Sequence, residues 1–135
     1  PETFDLSALA DRIRMIAQGH ECSWPEYNRQ THNPIENAIT VKGDIVVLEG
    51  NYLLLDSPGW DNLRQYADYT VRIVADPDML RTRLLDRKMK SASASPDSAN
   101  FVDFSDMYNV RLCLEHSLDA DLCIKLNEDN SYSIL

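Results

Sequence analysis

The chain of 135 residues is long enough for one domain with a core, and its apolar (44%) and charged (26%) fractions are those of a soluble globular protein. Its formal net charge is −9, from 22 acidic against 13 basic residues, which argues against a nucleic acid or an anionic membrane as main partner, since both need an electropositive face. No apolar run approaches the roughly 20 residues that span a bilayer, and no secretory start is visible.

Cys22, Cys113 and Cys123 are an odd set without paired metal spacing, which reads as reduced thiols in a cytoplasmic protein. Cys113 and Cys123 lie within apolar patterns and read as small core hydrophobes. The chain opens on Pro1 with a helix start almost at once, as expected of a fragment or a processed chain.

Asp5 predicts a helix N-cap, and Leu6, Leu9, Ile13 and Ile16 then recur at helical spacing until Gly19. Residues 21–37, ECSWPEYNRQTHNPIEN, hold two prolines, two aromatics and many polar side chains, so an irregular functional or mobile loop is expected. A short strand is expected over 39–41, and the strongest strand of the chain over 44–49, where Ile45, Val46, Val47 and Leu48 are flanked by Asp44 and Glu49. Gly50 and Asn51 let the chain turn before Tyr52 to Leu55 return to the core. A short helix follows over 60–66 and a strand over 69–74.

Pro77 opens a helix that runs to about Lys90, as proline does at a first helical position. SASASPDSAN is a low-complexity loop, a further helix is expected from Asp103 or Phe104 to Leu118, and a strand over 121–126 precedes SYSIL. Strands alternating with helices imply an α/β fold with a mostly parallel sheet, whose binding sites lie at the carboxyl ends of strands. Glu49 and Gly50 stand at such an end.

DIVVLEGNYLLLD with Trp60 beyond it, then TVRIVADPDMLRTRLLDR, DMYNVRL and ADLCIKL, resemble the uridine kinase and phosphoribulokinase group of P-loop kinases. The likeness is greatest to a branch of sugar or nucleoside kinases in which EGNYLLLD recurs, and PETFDLSAL and YNRQTHNP resemble that branch's preceding segments. It covers nearly the whole chain and keeps the motif order. It implies a single partial kinase-like domain: helix 1–20, acceptor loop 21–43, core strands 44–75, lid-flanking helices 76–118 and C-terminal strands 119–135. The implied fold class is α/β, an incomplete P-loop NTPase-like parallel sheet with flanking helices, without its first strand and P-loop.

The implied activity is transfer of phosphate from ATP, with Mg2+, to a hydroxyl of a small metabolite. Glu49 matches the acidic residue at the end of a core strand that helps hold the magnesium through water, a role that suits a hard oxygen donor. Tyr27 and His32 match residues that contact the acceptor. Asn28 stands where the family has an aspartate, and Asn33 where the related branch has another; an amide can bond a hydroxyl but carries no charge to favour proton removal. Arg83 and Arg87, four apart on one helix face, match arginines that neutralise the transferring phosphate, with Arg81 and Lys88 less well matched. Each has a plainer reading: Glu49 as a loop cap, Tyr27 and His32 as local packing, the arginines as a solvated face paired with Asp78 and Asp86.

The departures from the pattern are as informative. No GxxxxGK[ST] sequence occurs, and the four glycines, Gly19, Gly43, Gly50 and Gly59, form no phosphate cradle. The lid carries SASASPDSAN where the family often adds basic residues and glycine. In the family the P-loop, the first strand and the aspartate taken as catalytic base precede the point where this chain begins. That first strand would lie between the ones matching 44–49 and 69–74, so two inner edges would be left unpaired. Three arrangements answer this: a longer protein whose N-terminal segment completes the sheet, a homo-oligomer, or rearranged strands. Two functions follow, part of a small-molecule kinase inactive in isolation, or a degenerate homologue that only binds.

Overall fold

The structure, a computed structural model, describes residues 1, 3–28, 30, 31, 33–90 and 96–135. They divide into two compact units, Pro1–Leu53 with Pro58–Asp68, and Leu54–Ser57 with Tyr69–Leu135.

The first unit begins with α1, Leu6–Ala17, whose entry Asp5 caps by accepting the Ala8 N–H at 2.9 Å. Its exit is a Schellman turn: Gly19 (φ +76°) donates to the Ile16 carbonyl at 2.9 Å and His20 to that of Met15 at 3.0 Å. Both ends fall where Asp5 and Gly19 predict. The stretch expected to be irregular is instead an antiparallel hairpin of β1, Cys22–Asn28, and β2, Asn33–Val41. The strand expected over 39–41 is only the end of β2.

The register shifts between Trp24 and Glu26, which face Ile39 and Ile35, so β2 carries two extra residues. Asn37 takes a positive φ of 57° there, and Pro25, which has no N–H to offer, sits opposite. The tip is closed by Asn28, whose Oδ1 accepts the N–H groups of Gln30 (2.8 Å) and Thr31 (3.1 Å). Arg12 ties α1 to both strands: Nε donates to the Ser23 carbonyl at 3.1 Å and Nη2 to Glu36 at 2.8 Å.

The unit's core is aromatic. Tyr52 and Trp60 are buried with Leu63, which lies on a 3₁₀-helix, Asp61–Tyr66. Phe4, Tyr52 and Trp60 meet edge to face, with ring centroids 5.6–5.8 Å apart. Gly59 (φ +90°) permits this closure, since a Cβ there would lie 2.8 Å from Leu6 Cδ2.

The expected strand over 44–49 does not form. Residues 45–50 run without a strand partner, and among the described residues no backbone hydrogen bond joins 45–48 to another segment. Ile45 and Val47 are 88% and 89% exposed, Val46 and Leu48 40% and 39%. That alternation is the signature of an extended strand whose two faces differ. The residue types suit a strand, but strand structure needs a neighbour to take its hydrogen bonds, and none is present among the described residues.

The second unit is built on β3, Val71–Ala75, which pairs in parallel with β4, Leu122–Leu126; β4 pairs antiparallel with β5, Tyr132–Ile134. The crossover holds α2 (Pro77–Met89), α3 (Ser98–Phe101), a π-helical turn (Val102–Asp106) and α4 (Met107–Glu115). Helix therefore starts earlier than predicted, at Ser98, and stops earlier, at Glu115. Ser98 to Asn100, expected to be loop, belong to α3, while 91–95 lie outside the described residues. The sheet is α/β with a parallel pair and an antiparallel edge.

Two ties fix the strand starts and the helix layer. Asp121 Oδ2 accepts from the Thr70 N–H (2.7 Å) and hydroxyl (2.6 Å), joining the entrances of β3 and β4. Arg72 donates to the carbonyls of Cys113 and Leu114 in the last turn of α4, where a cation suits the helix dipole. Val102, Met107 and Ser98 are buried, and burial pushes the Cys113 thiol up. Asp76 caps α2 by accepting from Asp78 and Met79 at 2.9 and 3.1 Å, with Pro77 at the first helical position as predicted. Arg81 grips Asp103 of the π-helical turn through two bonds, Nη2 to Oδ2 being 2.9 Å.

The Trp60→Ala variant is expected to lose about 3–5 kcal/mol, the usual cost of a large aromatic removed from a core, read from the urea midpoint. A second expectation concerns pH. Asp103 is held below its ordinary value of 3.8 by Arg81's hydrogen bonds, opposed by partial desolvation and helped by the charges of Arg81 and Arg111. A depressed carboxyl stabilises above its unfolded value and loses that contribution as pH falls through the folded one. Asp103→Asn should therefore lower the thermal midpoint at pH 7, with the gap to wild type closing in acid below the carboxylate range and narrowing in high salt.

Candidate functional site

Glu49 closes the exposed apolar segment 45–48 and is itself exposed. Among the described residues its carboxylate has no ion pair and no hydrogen bond to backbone or side chain, so it caps no loop there. Its backbone lies just before Gly50, where a Cβ would come within 3.2 Å of Leu53 Cγ, so the small residue lets the chain fold back towards Tyr52. A free, hydrated carboxylate fits one position in the shell of a magnesium ion, which takes oxygen ligands and keeps several waters. No cluster of three or more His, Cys, Asp or Glu that could hold a metal occurs among the described residues.

Tyr27 and Asn28 lie at the end of β1, beside the hairpin tip, with the Tyr27 ring 60% exposed. Asn28 is occupied on one side: its Oδ1 holds the turn through Gln30 and Thr31, and its Nδ2 has no partner among the described residues. Asn33 Nδ2 donates to the Thr31 carbonyl at 3.0 Å. Both amides thus shape the tip. His32 lies outside the described residues. A small cleft of the same unit, lined by Gly19, His20, Lys42 and Val46, includes none of the predicted site residues.

In the other unit, Arg83 and Arg87 fall on one side of α2, as the spacing of four predicts. They are not equivalent. Arg83 Nη2 donates to Asn130 Oδ1 at 2.8 Å, whereas Arg87 has no side-chain partner among the described residues. The aspartate pairing expected as the plainer reading is absent from both; Asp86 pairs with Lys90 at 2.7 Å instead. Lys88 lies over the Phe101 ring, 4.1 Å from its centroid. The structure thus brings Tyr27 and Asn28 together at one tip and Arg83 and Arg87 on one helix, with Glu49 at the end of an exposed apolar segment that forms no strand.

Sequence reasoning missed Asn130. The run Asn-Glu-Asp-Asn-Ser at 127–131 signals a turn, but nothing in it signals a partner 47 residues away. It also missed Arg12, whose role depends on a hairpin that the sequence does not announce.

Comparison with known proteins supplies the context. The model of the phosphoribulokinase / uridine kinase family matches residues 1–99. YggC of Escherichia coli K12 is 36% identical over 132 residues, covering 98% of this chain and 55% of YggC. A uridine kinase of Latilactobacillus sakei is 29% identical over 98 residues, covering 72% of this chain and 44% of the enzyme. Among solved structures, a Silicibacter sp. TM1040 protein provisionally named a fructose transport system kinase superposes with a TM-score of 0.84 at 27% identity, covering 91% of this chain and 61% of that one. The chain spans about half the length of the curated relatives it matches. The α/β kinase fold expected from the motifs is the one observed, and the chain belongs to the phosphoribulokinase / uridine kinase family.

Proposed function

We propose that the protein carrying these residues is an ATP-dependent kinase that phosphorylates a hydroxyl of a small metabolite, a nucleoside or a sugar, in the cytoplasm. The observation that carries this reading is the unpartnered Glu49 carboxylate at the end of an unpaired apolar strand, in a chain of this family. Among the described residues that carboxylate has no bonded partner, which leaves it available to a cation.

Glu49 is one hard oxygen donor to Mg2+, directly or through water, and the ion when bound neutralises charge on the transferring phosphate. In the second unit, Arg83 and Arg87 offer positive charge to a phosphate of the nucleotide. Tyr27, Asn28 and His32 contact the acceptor, with Nδ2 of Asn28 as a donor to a hydroxyl oxygen. The residues present do not fit the phosphates of ATP by themselves, because no glycine-rich loop occurs among them. A segment of the same polypeptide outside these residues supplies that loop, and its strand pairs with 45–48. The relatives' names span uridine and fructose chemistry, so the reading commits only to a small hydroxyl compound as acceptor.

One observation favours a second reading. Asn28 and Asn33 both serve the hairpin turn and neither can take a proton, as suits a homologue that binds without turning over.

The full-length protein with Mg-ATP and a panel of nucleosides and sugars should release ADP in an acceptor-dependent way. Glu49→Gln should cut kcat by about 10–100-fold, the usual effect of disturbing a metal's ligand sphere. Failure of Mg-ATP to bind in calorimetry would favour the binding-only reading. An active enzyme indifferent to Glu49→Gln would remove Glu49 from the mechanism. The 135 residues alone should show no turnover; activity from them at the full-length rate would overturn the role given to the outside segment.

A further inference from the structure

Three arginines of α2 meet three different fates. Arg81 and Arg83 project about 200° apart around the helix, and Arg87 returns to within about 40° of Arg83. Arg81 is spent on a carboxylate, Asp103, which cancels its charge. Arg87 has no side-chain partner among the described residues. Arg83 is between these cases, because its partner is a neutral amide oxygen, Asn130 Oδ1, at 2.8 Å. An amide oxygen orients a guanidinium without neutralising it. Four of the five N–H donors of Arg83, and its whole charge, are left for an anion.

The residue that does the orienting is itself tightly held. Asn130 sits at φ +66° in the turn after β4, where its N–H donates to the Asn127 carbonyl at 3.1 Å and the Asn127 N–H to that of Ser131 at 2.9 Å. Asp129 Oδ1 accepts both the N–H (3.0 Å) and the hydroxyl (2.6 Å) of Ser131, which holds its carboxyl below the ordinary value. Asn127 Nδ2 adds a bond to the Ser131 hydroxyl at 3.0 Å. This turn stands at the carboxyl end of β4, the end of a parallel strand at which α/β proteins bind ligands.

We propose that Asn130 is a positioning residue that presents the uncancelled guanidinium of Arg83 to the phosphates of the nucleotide at the carboxyl end of the β3/β4 pair. The inference rests on the phosphotransfer reading above. It explains why the partner is an asparagine: a carboxylate would hold Arg83 as firmly but would compete with the phosphate, as Asp103 does at Arg81. Asparagine also tolerates the left-handed backbone that the turn requires.

The test uses the full-length protein and two variants that respect the backbone. Asn130→Gly keeps the positive φ and deletes the amide; Asn130→Asp keeps the oxygen and adds the charge. Both should melt within a few degrees of wild type, yet raise the KM for ATP by about tenfold while leaving the KM for the acceptor unchanged. In an Arg83→Ala background, Asn130→Gly should have no further effect, since the two act as one unit. An active wild type whose KM for ATP is unmoved by Asn130→Gly overturns the inference alone, as does an effect that persists undiminished without Arg83. Full activity in Asn130→Asp overturns the argument from charge. A wild type that neither binds nor turns over Mg-ATP overturns the phosphotransfer reading, and this inference with it.

Discussion

A strand needs a neighbour, and the segment 45–48 has none among the described residues. Its four apolar residues would ordinarily be the centre of a sheet, yet two of them are nearly fully exposed and none of their backbone groups bonds to another segment among the described residues. Burying such a strand gains on the order of 1.5–3 kcal/mol for each side chain moved from water into a core. That free energy is unrealised here. The placement of Glu49 depends on it, because a carboxylate at the end of an unpaired strand is only as well aimed as the strand. Pairing 45–48 and fixing the acid are one event.

Arginine does most of the remaining long-range work in a chain of net charge −9. Arg12 joins α1 to the hairpin, Arg72 holds the end of α4, Arg81 clasps the π-helical turn and Arg83 reaches the turn after β4. In each case a planar, multidentate donor bridges elements that share few buried side chains, which suits units whose helices α1 and α2 bury no residue completely. Excess acid makes guanidinium partners easy to find, so an arginine left without one stands out. On α2 that residue is Arg87.

How far the fold was legible follows from what each element relies on. α1 and α2 carry their own stop and start signals, in Asp5 and Gly19 and in Asp76 and Pro77, and appear where those residues put them. β3 and β4 were legible to within two residues, since each is a short run rich in branched residues between turn signals. The hairpin was not. Every residue of β2 but Val41 is exposed, and prolines stand at 25 and 34, so neither alternation nor a continuous apolar run marks it. Its stability comes from Arg12, Asn28 and cross-strand pairing, none of which has a period. At 45–48 the failure is of another kind: the residue types were read correctly, but composition says nothing about whether a partner is at hand.

The site residues divide along the same line. Spacing alone placed Arg83 and Arg87 on one face, because it depends only on helix geometry. It could not tell them apart, because that depends on a turn 47 residues from Arg83. Asn28 shows the limit most clearly. Either an aspartate or an asparagine can accept two backbone N–H groups and close this tip, so the turn does not account for the amide. What the amide removes is a negative charge at the hairpin tip. The hairpin therefore keeps the shape of its tip without a group that could take a proton, and shape and proton transfer at this position are separable properties.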